Sequence, residues 1–258
     1  MLRARSAQRW LCAANHRRLY ASRAAAATGG DKRDVMRDYW SAHSDSGSIE
    51  EMMLDNNAGL IEEQERKEIL SLLPDFHGKR VVELAAGIGR FTGTLCESAA
   101  KVTAVDFVDK FSQINFKNNG HHGNLTCVSE DVTRMELAPS SQDLIFSNWL
   151  LMYLSDAEVE AFAHKALRWL SPGGRLFFRE SCYRQSGNVA RGFNPTNYRD
   201  PEEYTFIFKA ATQPRGDAAS ISPYGFVLEQ TKRVETYVEQ KGNEGQICWL
   251  WKKAVVHG

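Results

Sequence analysis

Glu83, Gly87, Gly89, Arg90 and Asp106 are the residues whose types and spacing could do chemistry together. Arg80–Leu84 reads as a short apolar strand. Ala85–Gly89 is a turn of small residues apart from Ile88, and Arg90 onward reads as a helix with Phe91 and Leu95 four apart. Strand, small-residue turn and helix bring backbone N–H groups and a helix N-terminus against a nucleotide-like ligand. Sixteen residues after Arg90 stands Asp106, at the end of a second apolar run, Val102–Val105. A carboxylate at that strand tip can accept both hydroxyls of a ribose, and Phe107 beside it is assigned to the same ligand. Asp131 and Val132 follow a third strand, where an acidic side chain can meet an adenine amino group. Asn148 follows a fourth strand and completes the candidate set.

The ligand is not a dinucleotide by this pattern, because Thr92 stands where the third glycine of G-x-G-x-x-G belongs. The turn also lacks a Walker lysine, which argues against nucleoside triphosphates.

The elements that must position these groups follow in order. Asp34–His43, Ile49–Leu54 and Leu60–Leu73 have helical spacing ahead of the first strand and are expected to cap the pocket. After Asp106 come a helix over about Val108–Asn118, a strand at Leu125–Val128, a strand at Leu144–Ser147 and a helix over Asp156–Leu170. Ser171-Pro-Gly-Gly174 reads as a stop before a fifth strand at Arg175–Phe178. Strands alternating with helices predict an α/β fold with a parallel, doubly wound sheet. From Cys182 to Asn197 the pattern breaks into an aperiodic, Arg-bearing loop, and a loop of that length is more often functional than idle. A helix from Pro201 and strands near Phe226–Gln230, Arg233–Glu239 and Ile247–Lys252 end the chain.

Composition bounds the rest. The chain has 258 residues, 43% hydrophobic, enough for one core with a small cap. A formal net charge of zero gives no electrostatic case for nucleic acid or a membrane surface, and no apolar run is long enough to insert in a bilayer. Five cysteines without C-x-x-C spacing read as reduced thiols, and no metal ligands are assigned. Residues 1–30 hold six arginines and no acid among many Ala and Ser, the composition of an organelle transit peptide. The reading is therefore a targeting segment or tail over 1–30 and a catalytic domain over 31–258, mitochondrial or in another organelle, with the cytoplasm as the alternative.

The acidic strand end Glu83 with Gly87 and Gly89 resembles the first motif of class I S-adenosylmethionine-dependent methyltransferases. Ala85 departs from that motif, which has glycine there, and sets a methyl group beside the cofactor. The match extends further. Tyr39-Trp40, Met52-Met53-Leu54-Asp55, Phe146–Asp156, Phe178–Cys182, Gln185-Ser-Gly187, Asn194-Pro-Thr196 with Tyr198-Arg199, and Gln246–Trp249 resemble phosphoethanolamine N-methyltransferases of the plant and nematode type. The resemblance covers roughly residues 35–253 and is to the N-terminal catalytic domain of the two-domain enzymes. It implies a class I Rossmann-like sheet with an N-terminal helical cap, S-adenosylmethionine as cofactor, and methylation of the phosphobase phosphoethanolamine towards phosphocholine.

It also implies roles. The cofactor would lie against Glu83, Ala85, Gly87, Gly89, Arg90, Asp106, Phe107, Asp131, Val132 and Asn148. Tyr39 and Tyr153 would be catalytic, and Tyr39, Arg179, Tyr198 and Arg199 would bind the substrate. Related protozoan enzymes pair the cap tyrosine with a histidine after strand four; Trp149 occupies that position here, so the base stays open, with His43 as an alternative. Two other functions remain: a protein N-terminal amine methyltransferase, and a non-catalytic cofactor-binding subunit.

The N-terminal composition makes a direct prediction. Residues 1–30 fused to a fluorescent protein should carry it into an organelle; diffuse cytosolic fluorescence would remove the targeting assignment.

Overall fold

The computed structural model describes residues 29–43, 46–215 and 222–257; of 29–32 it describes the backbone alone. The arginine-rich segment before residue 29 lies outside the described residues. Among the described residues, three α-helices lead in: α1 (Gly29–Ala42), α2 (Ile49–Met53) and α3 (Glu62–Ser71). Strands and helices then alternate as β1 (Arg80–Leu84), α4 (Thr92–Ser98), β2 (Lys101–Asp106), α5 (Asp109–Asn119), β3 (Leu125–Ser129), β4 (Gln142–Asn148), α6 (Asp156–Trp169) and β5 (Leu170–Ser181). The chain ends with α7 (Pro201–Ala210), β6 (Thr212–Gln213), β7 (Tyr224–Arg233), α8 (Glu235–Lys241) and β8 (Gln246–Val255).

The strands form one sheet in the order β3-β2-β1-β4-β5-β8-β7-β6. The first five are parallel, as alternation with helices requires, whereas β8, β7 and β6 pair antiparallel. The order reverses at β1, so the carboxyl ends of β1, β2 and β4 open onto a common crevice.

Both faces of the sheet are covered, and side-chain parity decides which residue serves which face. Val82 and Leu84 pack with Ile145, Leu176, Phe178, Trp249 and Trp251 against the α6 residues Val159, Phe162, Ala163 and Ala166. Val81 packs on the opposite face with Leu144, Phe146, Phe177 and Leu250, together with Ile69 of α3 and Leu95 of α4. Ser155 caps α6 with its side chain and Glu158 returns the bond, a capping box that fixes where the helix begins.

Three expectations need correction. Arg233–Glu239 is not a strand: β7 ends at Arg233, and α8 starts at Glu235. The Glu68 carboxylate accepts the N–H groups of Glu235 and Thr236 in the first turn of that helix. Ser171–Gly174 lies within β5 instead of preceding it. The sheet is not parallel throughout: β8 lies between β5 and β7 and runs against both, because Gln246 re-enters beside Ser181 at the site end of the sheet, and the short β6 also runs against β7.

The buried aromatic stack behind the sheet sets a stability test. Phe178 is fully buried, with its ring 4.9 Å from Trp249 and 4.8 Å from Phe208. Phe178→Ala should cost about 3–5 kcal/mol, read from the urea midpoint at unchanged slope; a near-neutral result would contradict this packing.

Candidate active site

The turn after β1 is shaped by backbone hydrogen bonds and one carboxylate. Ala86 donates its N–H to Val105 at 3.0 Å, and Gly89 donates to Ala86 at 3.0 Å. Asp106 accepts the Gly87 N–H at 2.9 Å with one oxygen and the Val108 N–H at 2.9 Å with the other. Burial pushes the Asp106 carboxyl up to about 6, against the backbone N–H groups that favour its charge. Glycine is required at position 89: φ is +89°, and a Cβ would lie 2.3 Å from Asn115 Oδ1 and Asn119 Nδ2. Ala85 adopts a left-handed φ of +54° without being glycine, so its departure from the motif is a backbone cost as well as an added methyl.

Glu83 lies one layer behind this turn. It is fully buried, and Thr92 Oγ1 lies 2.5 Å from its Oε2 while accepting the Asn115 amide at 2.9 Å. Burial pushes its carboxyl up to about 8.

A cleft, partly open to solvent, runs along these strand ends. Glu83, Ala85, Gly87, Arg90, Asp106, Phe107, Asp131, Val132 and Asn148 all line it. Asp131 is buried; Oδ1 accepts the N–H and hydroxyl of Thr133 at 2.9 and 2.8 Å, while Oδ2 has no partner. An orphaned carboxylate oxygen in a cleft is an acceptor awaiting a donor. With Phe107 as an apolar wall and Asp106 as the hydroxyl acceptor, this end fits an adenosine.

The other end is aromatic and cationic. Tyr153, on the turn after β4, meets Trp40 of α1 edge-on with centroids 5.3 Å apart. Burial raises the Tyr153 phenol well above its usual value, so at neutral pH it is an uncharged O–H. Arg191 donates to Tyr198 Oη at 3.0 Å, to Tyr39 Oη at 3.4 Å, and to Gln185 Oε1 at 2.8 and 3.1 Å. Its side-chain hydrogen bonds thus go to hydroxyls and an amide, leaving a half-buried guanidinium charge with no carboxylate among these partners. Arg191 and Gln185 were not assigned from sequence. The signals available were the aperiodic loop that holds both and the Gln185-Ser-Gly187 motif; nothing in the sequence pointed to Arg191 over its neighbours.

Of the assigned substrate ligands, Tyr198 lines the cleft, Tyr39 lies beside it with its hydroxyl on Arg191, and Arg179 and Arg199 do not reach it. Arg179 is fully buried, pairs with Glu65 at 3.1 Å, and lies 3.7 Å from the Trp149 ring centroid. Parity on β5 turns it, with Phe177, towards α3 and away from the substrate end. Arg199 is also buried and binds Asp156 at 2.9 Å and the carbonyls of Leu151 and Leu154. Arg90 lines the cleft, but its guanidinium is taken by Glu62 and Glu65 of α3, so it ties the cap to the turn. His43 bonds the Tyr39 carbonyl through Nδ1 at 2.7 Å and stacks at a tilt on the Tyr39 ring, outside the cleft lining. Trp149 lines the cleft and donates Nε1–H to Gln246 at 3.1 Å. Among the described residues, no group of three or more His, Cys, Asp or Glu is disposed to hold a metal. Nor is any described helix long and apolar enough to cross a membrane.

Comparison with known proteins agrees with this geometry. Residues 82–178 match the family model described as a methyltransferase domain. The chain is 48% identical over 227 residues to a phosphoethanolamine N-methyltransferase of Triticum aestivum, covering 86% of this chain and 44% of that protein. It is 47% identical to phosphoethanolamine N-methyltransferase 3 of Arabidopsis thaliana, covering 88% and 46%. Among solved structures, Haemonchus contortus phosphoethanolamine N-methyltransferase 1, in complex with phosphoethanolamine and S-adenosylhomocysteine, superposes with a TM-score of 0.86 at 35% identity, covering 90% of this chain and 51% of that one. The sheet, cap and crevice are those of the class I S-adenosylmethionine-dependent methyltransferase fold. Within that class the chain is a homologue of phosphoethanolamine N-methyltransferases, and it spans about half the length of the relatives it matches.

The strained Ala85 gives a ligand-free test. Ala85→Gly should raise stability by about 1 kcal/mol, because the left-handed conformation no longer carries a Cβ. Loss of stability in thermal unfolding would show that the Ala85 methyl contributes packing that outweighs the strain.

Proposed function

We propose that this chain transfers a methyl group from S-adenosylmethionine to the amine of phosphoethanolamine, a step towards phosphocholine. The single observation that carries the reading is Arg191: a half-buried guanidinium bonded to two tyrosine hydroxyls, facing the same cleft as the adenosine-sized end. A phosphate monoester supplies the anion that such a group lacks, and charge-assisted bonds to it are the strong ones. The homology to phosphoethanolamine N-methyltransferases supports the same substrate.

The cofactor supplies a methyl group on a positively charged sulfur. The residues of the chain do the positioning. Asp106 accepts the ribose hydroxyls, Asp131 Oδ2 accepts the adenine amino group, and Phe107 covers the base. At the other end Arg191, Tyr198 and Tyr39 donate to the phosphate. Fixing both ligands in line converts an encounter into an oriented displacement. The substrate amine must be neutral to attack, and a free aliphatic amine holds its proton to about pH 10. Burial in the aromatic cleft disfavours the ammonium form. The uncharged hydroxyl of Tyr153 can then accept an N–H and orient the lone pair. A phenol held protonated by burial suits orientation more than proton removal.

A protein N-terminal amine substrate is separated by offering a peptide and phosphoethanolamine side by side and weighing the products. Cofactor binding without either product would favour a non-catalytic subunit. The assignment of 1–30 to organelle targeting and of 31–258 to one catalytic domain belongs to the same proposal.

Two measurements follow. Arg191→Ala should raise the KM for phosphoethanolamine roughly 10- to 150-fold, the equivalent of about 1.5–3 kcal/mol, and leave S-adenosylhomocysteine affinity unchanged. An unchanged KM would place the phosphate elsewhere. Asp106 must be ionised to accept hydroxyls, and burial puts its carboxyl at about 6. S-adenosylhomocysteine affinity should therefore be full above that pH and fall by up to about ten-fold per unit below it. Calorimetry showing flat affinity from pH 7.5 to about 5 would remove Asp106 from the site.

A further inference from the structure

The turn after β4 is held in an unusual way. Leu150–Leu154 carries Tyr153 into the cleft, and each of its backbone polar groups has a partner. Glu180 Oε1 accepts the N–H groups of Leu150 and Leu151 at 3.1 and 2.8 Å, and Oε2 accepts that of Met152 at 3.2 Å. The Tyr153 and Leu154 N–H groups close the turn on Leu150 and Leu151 at 3.0 and 3.1 Å. From the other side, Arg199 donates to the carbonyls of Leu151 at 3.0 Å and Leu154 at 2.6 Å. The Asn197 backbone N–H reaches the Met152 carbonyl at 2.7 Å, and Arg33 reaches that of Tyr153 at 2.6 Å.

The donors come from the segments that carry the other two tyrosines. Asn197 and Arg199 flank Tyr198, and Arg33 lies on α1 with Tyr39. The turn is therefore the common support of three hydroxyls. Glu180 is fully buried and does not line the cleft; strand parity sends it to the α6 face while Arg179 goes to the other.

We propose that Glu180 and Arg199 are a pair of positioning residues that grip the Leu150–Leu154 turn from its two ends and so hold the Tyr153 hydroxyl in register with those of Tyr39 and Tyr198. The acceptor pattern of Glu180 and the donor pattern of Arg199 both matter. Three N–H groups converge on two carboxylate oxygens, and a glutamine would turn an N–H₂ donor onto at least one of them. Two carbonyls and Asp156 surround Arg199, and only a planar fork of donors meets all three at once. The catalytic part of this inference rests on the phosphoethanolamine reading; the registration does not.

The test uses the full chain with Glu180→Gln and Arg199→Lys, which keep side-chain size or charge. Hydrogen exchange followed by mass spectrometry should show faster exchange over residues 148–154 and also over 194–199. Protection of β1 and β2 should stay as in the wild type. S-adenosylhomocysteine affinity should remain at the wild-type value, while kcat/KM for phosphoethanolamine falls by as much as about 10²-fold, the scale expected for a misplacement near 1 Å. If Glu180→Gln does not fold, Arg199→Lys carries the same comparison. Faster exchange confined to 148–154 with kcat/KM intact would make the pair merely structural and overturn the proposal. If the wild type does not turn over phosphoethanolamine, the function reading fails by itself. Registration is then decided by exchange alone: coupled loosening of 148–154 and 194–199 supports it, and an unaffected 194–199 overturns it.

Discussion

The Asp106 carboxylate bridges two strand ends, and the cleft depends on that bridge. It sits at the end of β2 and takes the N–H of Gly87 from the turn after β1, so the turn cannot move without uncovering a buried charge. Burial opposes ionisation and the backbone donors favour it; their balance leaves the group near 6. A ligand that adds hydroxyl donors at this point strengthens the charged form. The parallel register of β1 with β2 and β4 puts the necessary ends side by side. Gly89, pressed against Asn115 and Asn119, lets α5 pack close against the turn.

Arginines divide the labour at the other end according to their partners. Arg33 pairs with Glu158, Arg90 with Glu62 and Glu65, Arg179 with Glu65, and Arg199 with Asp156. Each of these holds two elements together: helix to helix, cap to turn, cap to sheet, or loop to helix. Arg191 instead donates to Tyr39, Tyr198 and Gln185, all uncharged. A half-buried cation with uncharged partners is costly until an anion arrives, whereas the paired ones are already balanced. Partner chemistry, more than residue type, separates a ligand-binding arginine from a structural one.

Much of the fold was legible in the chain because period and punctuation are local. The strand-turn-helix at Arg80–Phe91, the helix between Ser155 and Leu170, and the acidic strand ends at Asp106 and Asp131 follow from side-chain alternation, capping residues and glycine positions. Arg233–Glu239 was misread because Val234, Thr236, Tyr237 and Val238 are strand-prone residue types, although Val234, Tyr237 and Val238 fall at helical spacing. The helix is selected by a remote carboxylate, Glu68, which no local window contains.

The candidate site divides in the same way. Sequence alone picked out the end proposed to hold the adenosine: a small-residue turn follows the first strand, and an acid at the next strand end lies beside it by topology. Only the tertiary structure decided the substrate end. Arg179, Arg191 and Arg199 are alike in sequence, and their roles depend on strand parity and on carboxylates supplied from far along the chain. Glu65 and Asp156 claim two of the three, and Arg191 is left to face the cleft. The physical reason is that hydrogen bonds and charge pairs form between segments brought together by folding, whereas strand and turn preferences act between neighbours.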